Sequence, residues 1–207
     1  MPNTLSADQI VDDLKAGNTR FLEGKSLKTS ELSLRKLKEF ARIGQLPKAI
    51  VLCCSDSRAP VEIIFDQDIG DLFVIRVAGN IIAPSLVGSV EFAASTFGVK
   101  VVLVMGHTKC GAVKATLDHI ENSQAIKSEN IHDIVSRIKP HIYPIAQIHD
   151  MSYEDKLSLA VRTNVLASVS ELSYSSRLIE DLVQNGMIEI FGAVLDLDTG
   201  AVEFLTS

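Results

Sequence analysis

The stretch Val99-Lys100-Val101-Val102-Leu103-Val104-Met105-Gly106-His107-Thr108-Lys109-Cys110 decides the fold. Residues 99–105 are almost wholly apolar or β-branched, which predicts a strand buried on both faces. Gly106 predicts its end, and the pattern predicts a helix from near Cys110. A strand that runs straight into a turn and a helix is the repeating unit of an α/β sheet.

The same reading extends in both directions. Residues 49–53, Ala-Ile-Val-Leu-Cys, form a short continuous apolar run and predict a first strand. Pro60 is placed to open a helix. Residues 71–77 predict a second strand, and residues 84–97 a helix that Gly98 stops. The interval 121–152 is the least regular and holds Pro140 and Pro144, with one short helix expected around 131–138. Leu157, Val161, Val165 and Val169 recur every four residues and mark a long helix. A further helix over 176–184 is stopped by Asn185-Gly186. Residues 187–195 predict a fourth strand, and 201–205 a fifth that pairs back across the Asp198-Thr199-Gly200 turn. Upstream, residues 1–45 predict two amphipathic helices: one with a capping box from Ser6 to Gln9 and a face of Ile10, Leu14 and Phe21, the other from near Ser30 through Leu34, Leu37 and Phe40 to Gly44. The expected fold is a single α/β domain over 1–207. It has a mostly parallel central sheet of four strands plus an edge strand, flanked by helices, with residues 1–45 as an N-terminal helical arm.

Composition narrows the function. The chain has 207 residues, is 46% hydrophobic and carries a formal charge of −6, enough for one sizeable core and without a basic run. A nucleic-acid groove or an anionic membrane patch is not expected. No apolar stretch approaches a membrane span, and the polar, acidic start is unlike a secretory signal, so a cytoplasmic location is expected. Three cysteines, two of them adjacent, make a poor disulfide framework and suit free or metal-bound thiols. Neither G-x-G-x-x-G nor a phosphate loop of the Walker type appears, which removes the nucleotide binders.

The chemistry gathers where α/β sheets build sites, at the carboxyl ends of strands. Cys54 follows the first strand, and His107 and Cys110 follow the third. Zinc prefers thiolate and imidazole in a tetrahedron. A lone H-x-x-C carries little; joined to a cysteine that ends a neighbouring strand it gives two sulfurs and one nitrogen. Three protein ligands leave a fourth position open, the mark of a catalytic zinc. Adjacent strand residues point to opposite faces, so Cys53 and Cys54 cannot both reach the metal. Cys54 stands nearer the turn, which leaves Cys53 as a small buried hydrophobe. Asp56 and Arg58, two apart on that turn, are placed so that the guanidinium holds the carboxylate ionised and in one orientation. His119, His132, His141 and His149 lack metal-like spacing and are expected on the surface or in packing.

C-x-D-x-R over 54–58 followed by H-x-x-C-G over 107–111 resembles the beta-class carbonic anhydrases. Asp71-Leu72-Phe73-Val74-Ile75-Arg76-Val77-Ala78-Gly79-Asn80, Gly88-Ser89-Val90-Glu91-Phe92-Ala93 and Ile188-Glu189-Ile190-Phe191-Gly192-Ala193 extend the resemblance over roughly 30–205. The resemblance implies one Zn2+ per chain on Cys54, His107 and Cys110, with Asp56 and Arg58 as a catalytic dyad and Asp56 as a fourth ligand in a closed state. It implies that Gln45 binds substrate across a dimer interface, that Phe73 and Ala78 line a small apolar pocket for CO2, and that Gly111 offers a backbone N–H. It implies reversible hydration of CO2 to bicarbonate, in a homodimer or homotetramer whose N-terminal helices embrace the partner. The family's bicarbonate-regulated type needs a Trp, an Arg and a Tyr. Here Arg76 is present, but Val51 and Leu195 occupy the other two positions, which implies the plant-like type. Hydrolysis of carbonyl sulfide or carbon disulfide on the same zinc is the nearest alternative, and a non-catalytic zinc-binding protein the next.

Overall fold

The computed structural model describes residues 5–26, 33–123, 125–126 and 128–205, and of residues 33–35 the backbone alone. The start of the second helix near Ser30, and the side chain of Leu34, lie outside the described residues. Five strands form one sheet in the order β2-β1-β3-β4-β5: β1 (Ala49–Cys53), β2 (Leu72–Arg76), β3 (Val101–His107), β4 (Glu189–Leu195) and β5 (Val202–Leu205). The first four run parallel, and β5 pairs antiparallel with β4 at the edge. All five residues of β1 and all seven of β3 are buried, as central strands covered on both faces must be.

The two faces of the sheet carry separate cores. Ile50, Leu52 and Cys54 point into one, shared with α4 (Pro84–Phe97), α5 (Gly111–Asn122), α6 (Glu129–Ala146), α7 (Tyr153–Ser173) and α8 (Arg177–Gln184). Ala49, Val51 and Cys53 point into the other, with α1 (Ala7–Leu22) and α3 (Val61–Ile64). The alternation of β1 thus sends Cys53 and Cys54 to opposite sides.

β3 and β4 each begin two residues later than the sequence reading has them, and two further differences have a cause in the packing. β3 does not end at Gly106 but runs on to His107, with Gly106 paired to Val194 of β4. A Cβ on Gly106 would stand 2.5 Å from Val165 Cγ2, so this glycine marks a close approach of α7 to the sheet rather than a stop. In the irregular interval, α6 spans 18 residues and passes through Pro140 and Pro144. Both prolines are exposed, while Val135, Ile138, Ile142 and Ile145 are buried. Burial of that stripe outweighs the two lost backbone bonds, and the prolines sit on the solvent side, where a helix bending round a core tolerates them.

The arm is in part not an arm. α1 opens with the expected capping box, Ser6 and Gln9 bonding each other's backbone N–H. Ile10 and Leu14 are fully buried against the sheet of the same chain, each worth about 1.5–3 kcal/mol. Asn18 Nδ2 donates to the carbonyls of Ile64 (3.2 Å) and Gly200 (3.0 Å), and its Oδ1 accepts from Val202 N (2.9 Å). Arg20 pairs with the fully buried Asp66 at 2.5 Å. The segment leaves large apolar side chains exposed at the two ends of α1, at Leu5 before it and Leu22 at its close, and then at Leu37 and Ile43 of α2 (Ser33–Ile43) and at Leu46. Gly17 fixes how close α1 comes: a Cβ there would lie 1.8 Å from the Phe65 carbonyl oxygen. Backbone cannot yield as a side-chain tip does, so Gly17→Ala should cost about 1–3 kcal/mol or more, read as a lower urea midpoint with unchanged m value.

Candidate metal centre

The site stands at the carboxyl edge of the sheet. Cys53 is level with Met105 across β1 and β3, so Cys54 leaves β1 just where β3 delivers His107, and Cys110 follows as the N-cap of α5. Parallel pairing continues past β1, with Val77 N donating to Cys53 O (3.1 Å) and Ser55 N to Val77 O (3.2 Å). Lys109, at φ 57, lets the chain double back so that His107 and Cys110 converge.

Cys54 Sγ, a ring nitrogen of His107 and Cys110 Sγ all lie within 4.8 Å of one another. All three residues are buried. The His107 ring is oriented by Nδ1, 2.9 Å from its neighbour Thr108's carbonyl oxygen. That bond assigns the proton to Nδ1 and leaves Nε2 as a lone-pair donor. Nε2 is buried and has no hydrogen-bond partner. A buried unpaired nitrogen costs free energy unless something accepts its lone pair, and a metal does so. Soft sulfur with imidazole in a triangle of this size fits zinc.

The two thiols behave as a pair. Cys54 is lowered to about 4, first by the S–H of Cys110, then by His107 and the backbone N–H of Gly79, against the opposing effect of burial. Cys110 is raised, because Cys54 holds its proton and burial disfavours its charge, though the backbone N–H groups of Val113 and Ala112 pull the other way. Burial alone would lower His107; the Cys54 thiolate and the Thr108 carbonyl outweigh it and raise the ring above its ordinary value. Metal binding releases the shared proton and uses both sulfurs as thiolates. Cys53, on the far face, is pushed up to about 12 by burial.

Asp56 and Arg58 meet as the sequence predicts. Arg58 Nε donates to Asp56 Oδ1 (2.9 Å) and Nη2 to Oδ2 (2.7 Å), a bidentate pair, and Arg58 N adds a third bond to Oδ1 (3.0 Å). Arg58 thereby holds the Asp56 carboxyl well below the usual carboxylate range. Asp56 Oδ2 lies 3.8 Å from His107 Nε2, beside the metal position. Arg76 does not face this space. It donates to the carbonyls of Cys54 (2.9 and 3.1 Å) and Asp56 (2.6 Å), bracing the loop from behind.

The remaining expected residues divide. Gly111 is the first residue of α5, next to Cys110, and is exposed. Ala78 lies in the turn Ala78–Asn80, whose Gly79 N reaches Cys54 Sγ at 3.4 Å. Gln45 and Phe73 do not join the cluster within one chain. Gln45 is exposed before β1, at the opposite end of that strand from Cys54, roughly 15 Å or more away at 3.3 Å per residue. Phe73 is level with Ile50 and packs on Phe92 and Phe97, with ring centroids 6.3 and 6.2 Å away. His141 is 3.7 Å from Glu171, and none of His119, His132, His141 and His149 belongs to the cluster. Sequence reasoning missed the bond from Gly79. Its signal was the Gly79-Asn80 dipeptide after a strand, two residue types that accept positive φ and so favour a tight turn.

Comparisons with known proteins bear on this geometry. The family model described as carbonic anhydrase matches residues 49–202. The chain is 36% identical over 190 residues to the carbonic anhydrase of Mycolicibacterium smegmatis, covering 92% of this chain and 89% of that one. Among solved structures, the beta-carbonic anhydrase CcaA superposes with a TM-score of 0.73 at 28% identity, over 95% of this chain and 92% of that chain. Two tetrameric beta-carbonic anhydrases from the ascomycete Sordaria macrospora share the fold, with a TM-score of 0.72 at 22% identity over 93% of this chain and 94% of that chain. The sheet order, the ligand triangle at its carboxyl edge and these likenesses agree, and the chain belongs to the beta-class carbonic anhydrases.

Proposed function

We propose that this chain catalyses the reversible hydration of CO2 to bicarbonate and a proton, with one zinc ion held by Cys54, His107 and Cys110. The observation that carries the reading is the buried triangle of two sulfurs and an unpartnered imidazole nitrogen, with an ionised carboxylate beside it. Zinc, when bound, supplies Lewis acidity: it brings the pKa of a water it holds from about 15.7 to about 7, a figure that belongs to carbonic anhydrase zinc in general.

The chain's own residues supply the rest. Asp56 stays ionised through the neutral range, so it accepts a hydrogen bond from the attacking oxygen and aims a lone pair at CO2. Arg58 keeps that carboxylate in place by its bidentate bond. A purely structural zinc needs no such dyad, which speaks against a non-catalytic protein. The exposed N-terminus of α5 at Gly111 presents backbone N–H toward negative charge, as suits a product that gains charge. CO2 is apolar and needs little beyond apolar walls, for which Ala78 is at hand in the chain itself.

Gln45 and Phe73 join the site from a second copy of the chain. The support is their distance from the cluster within one chain, the exposed Leu37, Ile43, Leu46 and Phe92, and the fold shared with the tetrameric enzymes of Sordaria macrospora. A homo-oligomer is part of the proposal. So is a cytoplasmic location, which rests on three free cysteines that suit a reducing compartment. No described helix is long and apolar enough to cross a membrane. The plant-like, open type is supported by Arg58 holding Asp56 and by Arg76 engaging backbone carbonyls.

Zinc-analysed protein assayed by stopped flow from about pH 6.5 to 9 should hydrate CO2 already near neutrality and lose activity with chelator. Activity confined to high pH would instead place Asp56 on the metal at rest. Because the carboxyl of Asp56 titrates below its ordinary value, no part of the profile in this window belongs to it. Asp56→Asn should keep full zinc and lose roughly 100-fold or more in turnover, the scale of a positioned proton acceptor; near-normal rates would remove Asp56 from the mechanism. Cys110→Ser should lose zinc and thermal stability together, and full occupancy by elemental analysis would refute the ligand set. Bicarbonate should inhibit hyperbolically; a sigmoidal curve would contradict the plant-like type.

A further inference from the structure

The Cys54 sulfur takes a backbone N–H from Gly79 at 3.4 Å, in a turn whose carbonyls are held by another helix. Gly79 and Asn80 are consecutive residues at positive φ, 72° and 45°. Gly79 takes this conformation freely, while Asn80, with a side chain, takes it at a cost that asparagine bears better than most residues. A Cβ on Gly79 would stand 2.7 Å from Ile138 and 3.0 Å from Ala112, so α6 and α5 close over it. The carbonyls of this turn point into the protein, away from water.

Both carbonyls are met by one face of α7. Asn164 Nδ2 donates to Gly79 O at 2.9 Å, and Ser168 Oγ donates to Asn80 O at 3.1 Å. The two residues are four apart, one above the other on the helix, and are 1% and 2% exposed among otherwise apolar neighbours. Polar side chains are rarely buried so deeply without a partner that requires them. α7 reaches the turn because Gly106 lets Val165, the residue between them, lie on β3.

We infer that Asn164 and Ser168 are positioning residues for the metal centre: by fixing the Gly79-Asn80 turn they aim the Gly79 N–H at Cys54 Sγ and so set how much charge that sulfur gives the metal. The inference rests on the zinc reading of the site. A hydrogen bond to a ligating thiolate draws electron density from it, and outer-shell contacts of this kind tune a metal as the ligands do. Two thiolates give a metal more charge than imidazoles give. An N–H held on one of them offsets part of that excess. Without Asn164 the Gly79 carbonyl is buried and unpaired, and the turn relaxes toward water or toward negative φ, taking the N–H with it.

Cobalt(II) in place of zinc reads the sulfur directly, through its sulfur-to-cobalt charge-transfer absorption. The wild-type cobalt protein should show that band; its absence would sink the zinc–thiolate reading and this inference together. With the band present, Asn164→Leu should move it to lower energy and weaken zinc binding, measured against a competing chelator, on the order of 10- to 100-fold. Ser168→Ala should move both in the same direction by less, and decides the matter if Asn164→Leu does not fold. Leu172→Ala, a core change eight residues further along α7, should lower stability and leave the band in place. A folded Asn164→Leu or Ser168→Ala protein with wild-type band energy and zinc affinity would reduce both residues to packing and overturn the inference.

Discussion

The parallel pairing of β1 with β3, in the register that sets Cys53 against Met105, is the constraint on which the metal centre depends. Side chains alternate along a strand, so a slip of one residue would turn Cys54 to the far face and leave His107 and Cys110 without their third partner. The register is secured on both sides. One face demands Ile50 and Leu52 and the other Val51 and Cys53, and all four are fully buried. The same apolar run that makes β1 a strand therefore also fixes which of two adjacent cysteines joins His107 and Cys110 in the cluster.

Much of the fold was legible for this reason. Runs such as 49–53 and 101–105 have no polar member, and only the interior of a doubly covered sheet accommodates them. The start and stop of α4 were legible from Pro84 and Gly98, which act locally; Gly98 takes φ 62. What was misread depends on residues distant in sequence. Gly106 looks like a strand end until Val165 is seen lying against it. Pro140 and Pro144 look like helix breakers until the buried stripe beneath them is known. The cover of α1 was not legible either, since an amphipathic face asks for a cover without naming one. Asn18, Arg20 and Gly17 supply the answer through contacts with residues far along the chain.

The candidate site divides along the same line. The convergence of Cys54, His107 and Cys110 and the Asp56–Arg58 pair were legible because residue chemistry and short spacing suffice for them. The supports were not. Thr108 turns the His107 ring, Arg76 braces the carbonyls of Cys54 and Asp56, and Asn164 reaches Gly79 across 85 residues of sequence. Each uses a common residue type in an ordinary role, and only the fold reveals that the group at the other end belongs to the metal loop.

The placement of the two adjacent cysteines on opposite faces carries a further consequence, for oxidative damage. Cys53 is sealed in the lower core, and its thiol, at about 12, stays protonated and unreactive. It can neither be trapped by an electrophile nor form a vicinal bridge with Cys54. Of the three cysteines, Cys54 and Cys110 are therefore the ones an oxidant at the centre meets, and the simplest intramolecular lesion is a bond between those two. A thiol reductant undoes such a bond, which sets this lesion apart from oxidation to the sulfonic acid, for which there is no way back.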